Sequence, residues 1–108
     1  MKFEHISILK GSLTEKEAND EIKKYDDYLK EHNLEVTKFE NFGLKRLAYS
    51  IQKNNEGIYI LYNFNCEKND LEDFENFTRE NNNTLKFINI RLENELDNEN
   101  EEESELEC

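Results

Sequence analysis

Between residues 58 and 66 the chain alternates without interruption. Ile58, Ile60, Tyr62, Phe64 and Cys66 fall on one side of an extended segment, and Tyr59, Leu61, Asn63 and Asn65 on the other. A helix, with its period of about 3.6 residues, cannot bury such a set on one face. The segment is therefore a strand, and a strand needs partners, because an isolated hairpin is marginal in water. Residues 34–52 supply one. They are rich in β-branched and aromatic types, but Val36, Phe42 and Leu44 are even-numbered while Leu47, Tyr49 and Ile51 are odd-numbered. One phase cannot put both sets on one face. A long strand with a bulge or bend just after Gly43, near Lys45-Arg46, is expected. Lys53-Asn54-Asn55-Glu56-Gly57 reads as the turn that closes the hairpin.

Two further strands complete the sheet. Residues 2–10 place Ile6 and Ile8 on one face and Phe3, Ser7 and Leu9 on the other, and Gly11 ends them. Residues 85–92 place Ile88, Ile90 and Leu92 on one face and Leu85 and Phe87 on the other. Two helices fall between. Ser12-Leu13-Thr14-Glu15 has the form of a capping box and predicts a helix to about residue 32. Its apolar residues Ala18, Ile22, Tyr25 and Leu29 make one stripe, and Lys23, Lys24 and Lys30 lie toward its negative end. Asn69-Asp70-Leu71-Glu72 caps the second helix, with Leu71, Phe74 and Phe77 or Thr78 inward, and Asn81-Asn82-Asn83 ends it. The order β-α-β-β-α-β predicts an α+β, ferredoxin-like split fold. That is a four-stranded antiparallel sheet with both helices on one face.

Charge divides the 108 residues in two. Residues 93–108 hold nine Asp/Glu and no Lys or Arg, whereas residues 1–92 hold 17 acids and 14 bases, a net of −3 against −12 for the whole chain. One folded domain over 1–92 and an acidic, disordered tail over 93–108 are expected. The tail is expected to serve solubility or, in the functional reading, contact with a basic partner protein or RNA-bound cations.

Several functions find no support in the residues. No apolar run approaches the roughly 20 residues of a membrane span. Glu4 and His5 interrupt any apolar core at the start, so neither a membrane protein nor a secreted one is expected. Cys66 and Cys108 fit a reducing, cytoplasmic compartment. His5 and His32 stand far apart and there is no CxxC, so no metal is expected. With glycine only at 11, 43 and 57 there is no phosphate-cradling loop, and no nucleophile–base pairing is evident. Neither an enzyme nor a cofactor or small-molecule substrate is expected.

The sheet face away from the helices is the informative surface. It carries apolar and aromatic residues of its own, and strand positions also carry Lys2, Lys45, Arg46, Lys53, Lys86 and Arg91. Scattered solvated charge is the plain reading. The functional one is phosphate contact by fixed cations beside aromatic faces that stack on unpaired bases. The Gly-and-aromatic consensus of the common sheet-borne RNA-recognition module is absent from Ile58–Cys66.

The string Phe42-Gly43-Leu44-Lys45-Arg46-Leu47-Ala48-Tyr49-Ser50-Ile51-Gln52-Lys53, followed by Gly57-Ile58-Tyr59, resembles the bacterial small-ribosomal-subunit protein six family. Phe3-Glu4 and Leu85-Lys86-Phe87-Ile88 extend the resemblance across residues 1–92. It implies a structural, non-catalytic protein without a cofactor. Such a protein binds the central domain of small-subunit ribosomal RNA together with small-subunit ribosomal protein eighteen, a small basic neighbour. It implies phosphate contacts for Lys2, Lys45, Arg46, Lys53 and Lys86, and packing or stacking for Tyr49 and Tyr59. Arg91 joins the bases on its strand position alone. Ser50 stands where the family commonly has Pro, so the strand there keeps a backbone donor. A cytoplasmic, ribosome-associated protein is implied, and an organellar ribosome is compatible with it. The competing reading is a regulatory or ligand-sensing ferredoxin-like homodimer that uses the same open face. With a body of net charge −3, RNA affinity is expected to depend on the basic partner, which the tail would help recruit. Deleting residues 94–108 should then slow association with that partner at low salt; an unchanged association rate refutes the recruiting role.

Overall fold

The computed structural model describes residues 1–92, and the tail expected over 93–108 lies outside the described residues. Six elements follow in order: β1 (Lys2–Lys10), α1 (Glu15–Glu31), β2 (Glu35–Ile51), β3 (Asn54–Asn65), α2 (Lys68–Arg79) and β4 (Thr84–Leu92). They make one antiparallel sheet in the order β2-β3-β1-β4. The predicted fold class is the observed one.

The central strand β1 separates the two faces. Phe3, His5, Ser7 and Leu9 point under the helices and are buried. They meet Ile58, Ile60, Tyr62 and Phe64 of β3, the Ala18, Ile22, Tyr25 and Leu29 stripe of α1, and Phe74 of α2. Phe74 is fully buried, edge-on to Phe64 and Tyr25. Removing such a ring costs about 3–5 kcal/mol.

The helix starts differ from expectation in register. Leu13 N–H donates to the Lys10 carbonyl, so Gly11 and Ser12 are spent on the turn out of β1. The cap is therefore Thr14, whose Oγ1 accepts from Glu17 N–H at 3.1 Å while Glu17 Oε1 accepts from Thr14 N–H at 2.8 Å. The box sits two residues later than Ser12–Glu15. In α2, Glu67 takes the N-cap position and its N–H donates to Asp70 Oδ2, so Asn69 lies inside the first turn. Asn81 and Asn83 do end α2, and their amides donate to the buried Glu21 carboxylate at 2.7 and 3.0 Å. Burial alone would raise the Glu21 pKa; those amides and Lys24 outweigh it and hold it below the ordinary value.

A polar chain crosses the core. The Asn89 amide donates to Glu75 Oε2, which leaves Asn89 Oδ1 as acceptor for His5 Nδ1–H at 2.6 Å. His5 Nε2 then accepts from Ser7 Oγ, Ser7 Oγ from the Tyr25 hydroxyl, and Tyr25 from Thr84. Burial keeps His5 neutral, its pKa pulled down to about 4 despite the raising effect of Asn89. The unfolded chain takes up that proton near 6.5, so stability is lost as pH falls between those values. Urea unfolding should show about 2 kcal/mol less stability at pH 5 than at pH 7.5 from this group. The loss should be missing from the same comparison in His5→Gln; equal losses in both chains would contradict the assignment.

Candidate nucleic-acid interface

The edge strand β2 is longer than its partner needs, and its surplus residues decide where the candidate residues lie. The β2–β3 pairing shifts register between Val36 and Lys38, between Asn41 and Gly43, and between Arg46 and Ile51. The second shift, at Phe42, was not expected from the change of phase. Gly43 takes φ +79°, a conformation that favours glycine, and its N–H donates to Asn41 Oδ1 at 2.8 Å. The third shift opens at Arg46, where the change of phase predicts a bulge or bend, and is larger than a single-residue bulge. Arg46 pairs with Glu56 and Ile51 with Asn54, so residues 47–50 of β2 face Asn55 alone. The turn is correspondingly tight. It is Gln52-Lys53, both at positive φ, not Lys53–Gly57, and Asn54 already belongs to β3.

The surplus lets the end of β2 reach across the face opposite the helices. Leu47 is buried there against Ile8 of β1 and Leu85 of β4, with Ile51 and Tyr59 beside it. Gly57 makes room. A Cβ at that position would collide with Ile8 Cγ2 and press on the Leu9 carbonyl and Leu47 Cδ2. The position of Leu85 corrects the strand pattern. A bulge in the β1–β4 ladder between Ile8 and Leu9 carries Leu85 to the open face, while Phe87, level with Ser7, stays on the helix side.

A groove of about 330 Å³ results, lined by Ile6, Ile8, Leu47, Tyr49, Tyr59 and Ile88 among others. Lys86 stands at its side. Its Nζ donates to the Tyr49 hydroxyl at 3.2 Å and lies 5.9 Å from the centre of that ring. Tyr49 is 64% exposed, so one ring face is held by the lysine while much of the residue meets solvent. Such an arrangement suits a flat ring against the aromatic edge and a phosphate near the ammonium.

The eight sequence-derived candidates do not form one cluster. Tyr49, Tyr59 and Lys86 line the groove. Lys45, level with Gly57, shares their face, whereas Arg46, level with Glu56, is on the other. Lys53 lies at the hairpin tip beside Gly11 and Ser12. Lys2 is on the open face at the far end of β1, about 20 Å along the strand from Ile8. Arg91, level with Phe3, points to the helix side. The apolar floor of Ile8, Leu47 and Leu85 was missed. Its signal was the odd-numbered set Leu47, Tyr49 and Ile51, out of phase with the rest of the strand.

Charge separates by face. Acids crowd the helices, and three of the four α1 lysines are occupied there, Lys16 by Asp20, Lys23 by Asp27 and Lys24 by Glu21. The pairing registers put Lys2, Lys10, Lys38, Lys45 and Lys86 on the open face, against Glu4, Glu35 and Glu40, with Lys38 paired to Glu40 at 3.0 Å.

Comparison with known proteins agrees across the described body. Residues 2–91 match the family model described as ribosomal protein S6. The small ribosomal subunit protein bS6 of Synechocystis is 36% identical over 90 residues, covering 83% of this chain and 80% of the relative. That of Caldanaerobacter subterraneus is 32% identical over 91 residues, covering 84% and 96%. The crystal structure of 30S ribosomal protein S6 from Thermotoga maritima superposes with a TM-score of 0.80 at 26% identity, covering 95% of this chain and 94% of the other.

Gly57→Ala tests the hairpin seat. It should cost about 1–3 kcal/mol by overpacking Ile8 and Leu47, read as a lower urea midpoint, and should speed hydrogen exchange in residues 47–51. A midpoint matching the parent chain would show that the seat is not tight.

Proposed function

The chain belongs to the ribosomal protein S6 family, and from that premise we propose that its open sheet face binds the central domain of small-subunit ribosomal RNA jointly with small-subunit ribosomal protein eighteen. The family is one of structural, non-enzymatic proteins of the small ribosomal subunit, so the chain is ribosome-associated and is not an enzyme. The cytoplasm is the compartment proposed with it. No helix among the described residues is long and apolar enough to cross a membrane.

One observation carries the reading. The fold gathers Tyr49, Tyr59 and Lys86 at one groove, with Lys45 on the same face. These are the groups that phosphate contact and base stacking require. Lys2 extends the basic track along β1. Arg46 and Arg91 both fall on the helix side of the sheet and Lys53 lies at the hairpin tip, so these three act only at its margins. Five lysines, offset by three glutamates on that face, supply only part of the neutralisation a structured RNA demands, so the basic partner provides the rest.

The test is binding to a central-domain RNA fragment with and without the partner, over a salt series. Tight binding is expected only with the partner. Lys45→Ala and Lys86→Ala should each weaken it and lower the salt slope by about 1. Lys23→Ala, on α1 and paired with Asp27, should leave both unchanged. Absence of binding with the partner present would sink the proposal.

A further inference from the structure

The open face has a candidate occupant within the chain itself. We propose that residues 93–108 lie back along this face, their carboxylates over Lys2, Lys45 and Lys86 and Leu106 in the groove between Leu47, Tyr59 and Ile88. The idea goes beyond the RNA reading and does not require it.

Three observations favour this occupant. Charge is complementary, since the segment has nine acids and no base, and cations outnumber acids on the face. The starting point is right. Leu92 is level with Lys2 in the β1–β4 ladder, so the segment starts beside the first of those lysines. The reach is sufficient. From the level of Lys2 to that of Lys86 is about 20 Å of strand, while the fourteen residues from Glu93 to Leu106 span up to about 45 Å when extended.

Tethering makes weak contacts count, because a segment joined at Leu92 acts at millimolar effective concentration. The segment is then an internal polyanion. Any external polyanion using Lys45 and Lys86 must displace it, and a basic protein can draw it off by offering more cations. A second copy of the chain is a poorer occupant, since each copy brings a net charge of −12.

The experiment is paramagnetic relaxation in the full chain. Cys66→Ser, or Cys66→Ala should the first fold poorly, leaves Cys108 as the attachment point for a nitroxide. The expected result is strong broadening at the amides of Ile8, Tyr59 and Lys86, with little at Lys23 and Glu72 on the helices. Replacing Glu101, Glu102, Glu103, Glu105 and Glu107 by Gln should abolish the contrast, as should salt near 1 M, where the Debye length is about 3 Å. Broadening that is uniform, or stronger on the helices, overturns the proposal. So does equal broadening in a mixture where label and nitrogen-15 are on different molecules, which would assign the face to a second copy. RNA affinity does not enter the readout, so failure here leaves the RNA reading to its own test.

Discussion

The fold turns on β1, which is hydrogen-bonded to β3 on one side and β4 on the other. Its alternation therefore sets both faces of the sheet at once. The inward set includes two polar side chains, His5 and Ser7, that are fully buried. They are tolerable only because each has partners. From Thr84 through Tyr25, Ser7, His5 and Asn89 each member donates to the next, and the Glu75 carboxylate accepts at the end. A single break leaves a buried group unsatisfied at about 1–3 kcal/mol. The chain joins β1, α1, α2 and β4, so it fixes the relative placement of both helices. With both helices committed to that side, the opposite face is left for other contacts.

Those contacts are shaped by the irregular edge. An edge strand can absorb surplus residues because only one side of it is tied into the ladder. β2 absorbs them three times, and the last and largest surplus carries Leu47 and Tyr49 onto the open face. The hairpin tip tightens as a consequence, since Gln52 and Lys53 must both adopt positive φ without being glycine. Each costs on the order of 1 kcal/mol. The Asn54 amide offsets part of this by donating to the Ile51 and Gln52 carbonyls. Burial of Leu47 on Ile8 and Leu85 offsets more. Strain at the tip and packing on the sheet belong to one local arrangement.

Most of the fold could be read from the sequence because its signals are local. The alternation of Ile58–Cys66, the stripe of Ala18, Ile22, Tyr25 and Leu29, and Phe74 in α2 each encode their own burial. What could not be read depends on pairing between distant segments. Thr14 and not Ser12 caps α1 because Gly11 and Ser12 are consumed leaving β1. Leu85 changes face because of a bulge defined only against Ile8. The same limit applied to the site. Lys86 and Tyr49 are 37 residues apart, and nothing local says that their side chains meet. Arg46, Lys53 and Arg91 read equally well as members of the track, yet the register sends them elsewhere.

A chain of net charge −12 can still present a basic surface because charge acts over limited distance. The acids of α1 and α2 lie across a layer on the order of 10 Å from the lysines of the open face. At physiological ionic strength the Debye length is about 8 Å, so exposed helix acids act only weakly on an anion at Lys45 or Lys86. The ion pairs along α1 reduce their reach further, since Lys16, Lys23 and Lys24 neutralise neighbours locally. Total charge then governs long-range encounter, slowing the approach of RNA and speeding that of a basic protein. Face charge governs contact once the distance is short. On the proposed reading, that order brings the basic protein first, and RNA then meets a surface with more cations than this chain presents alone.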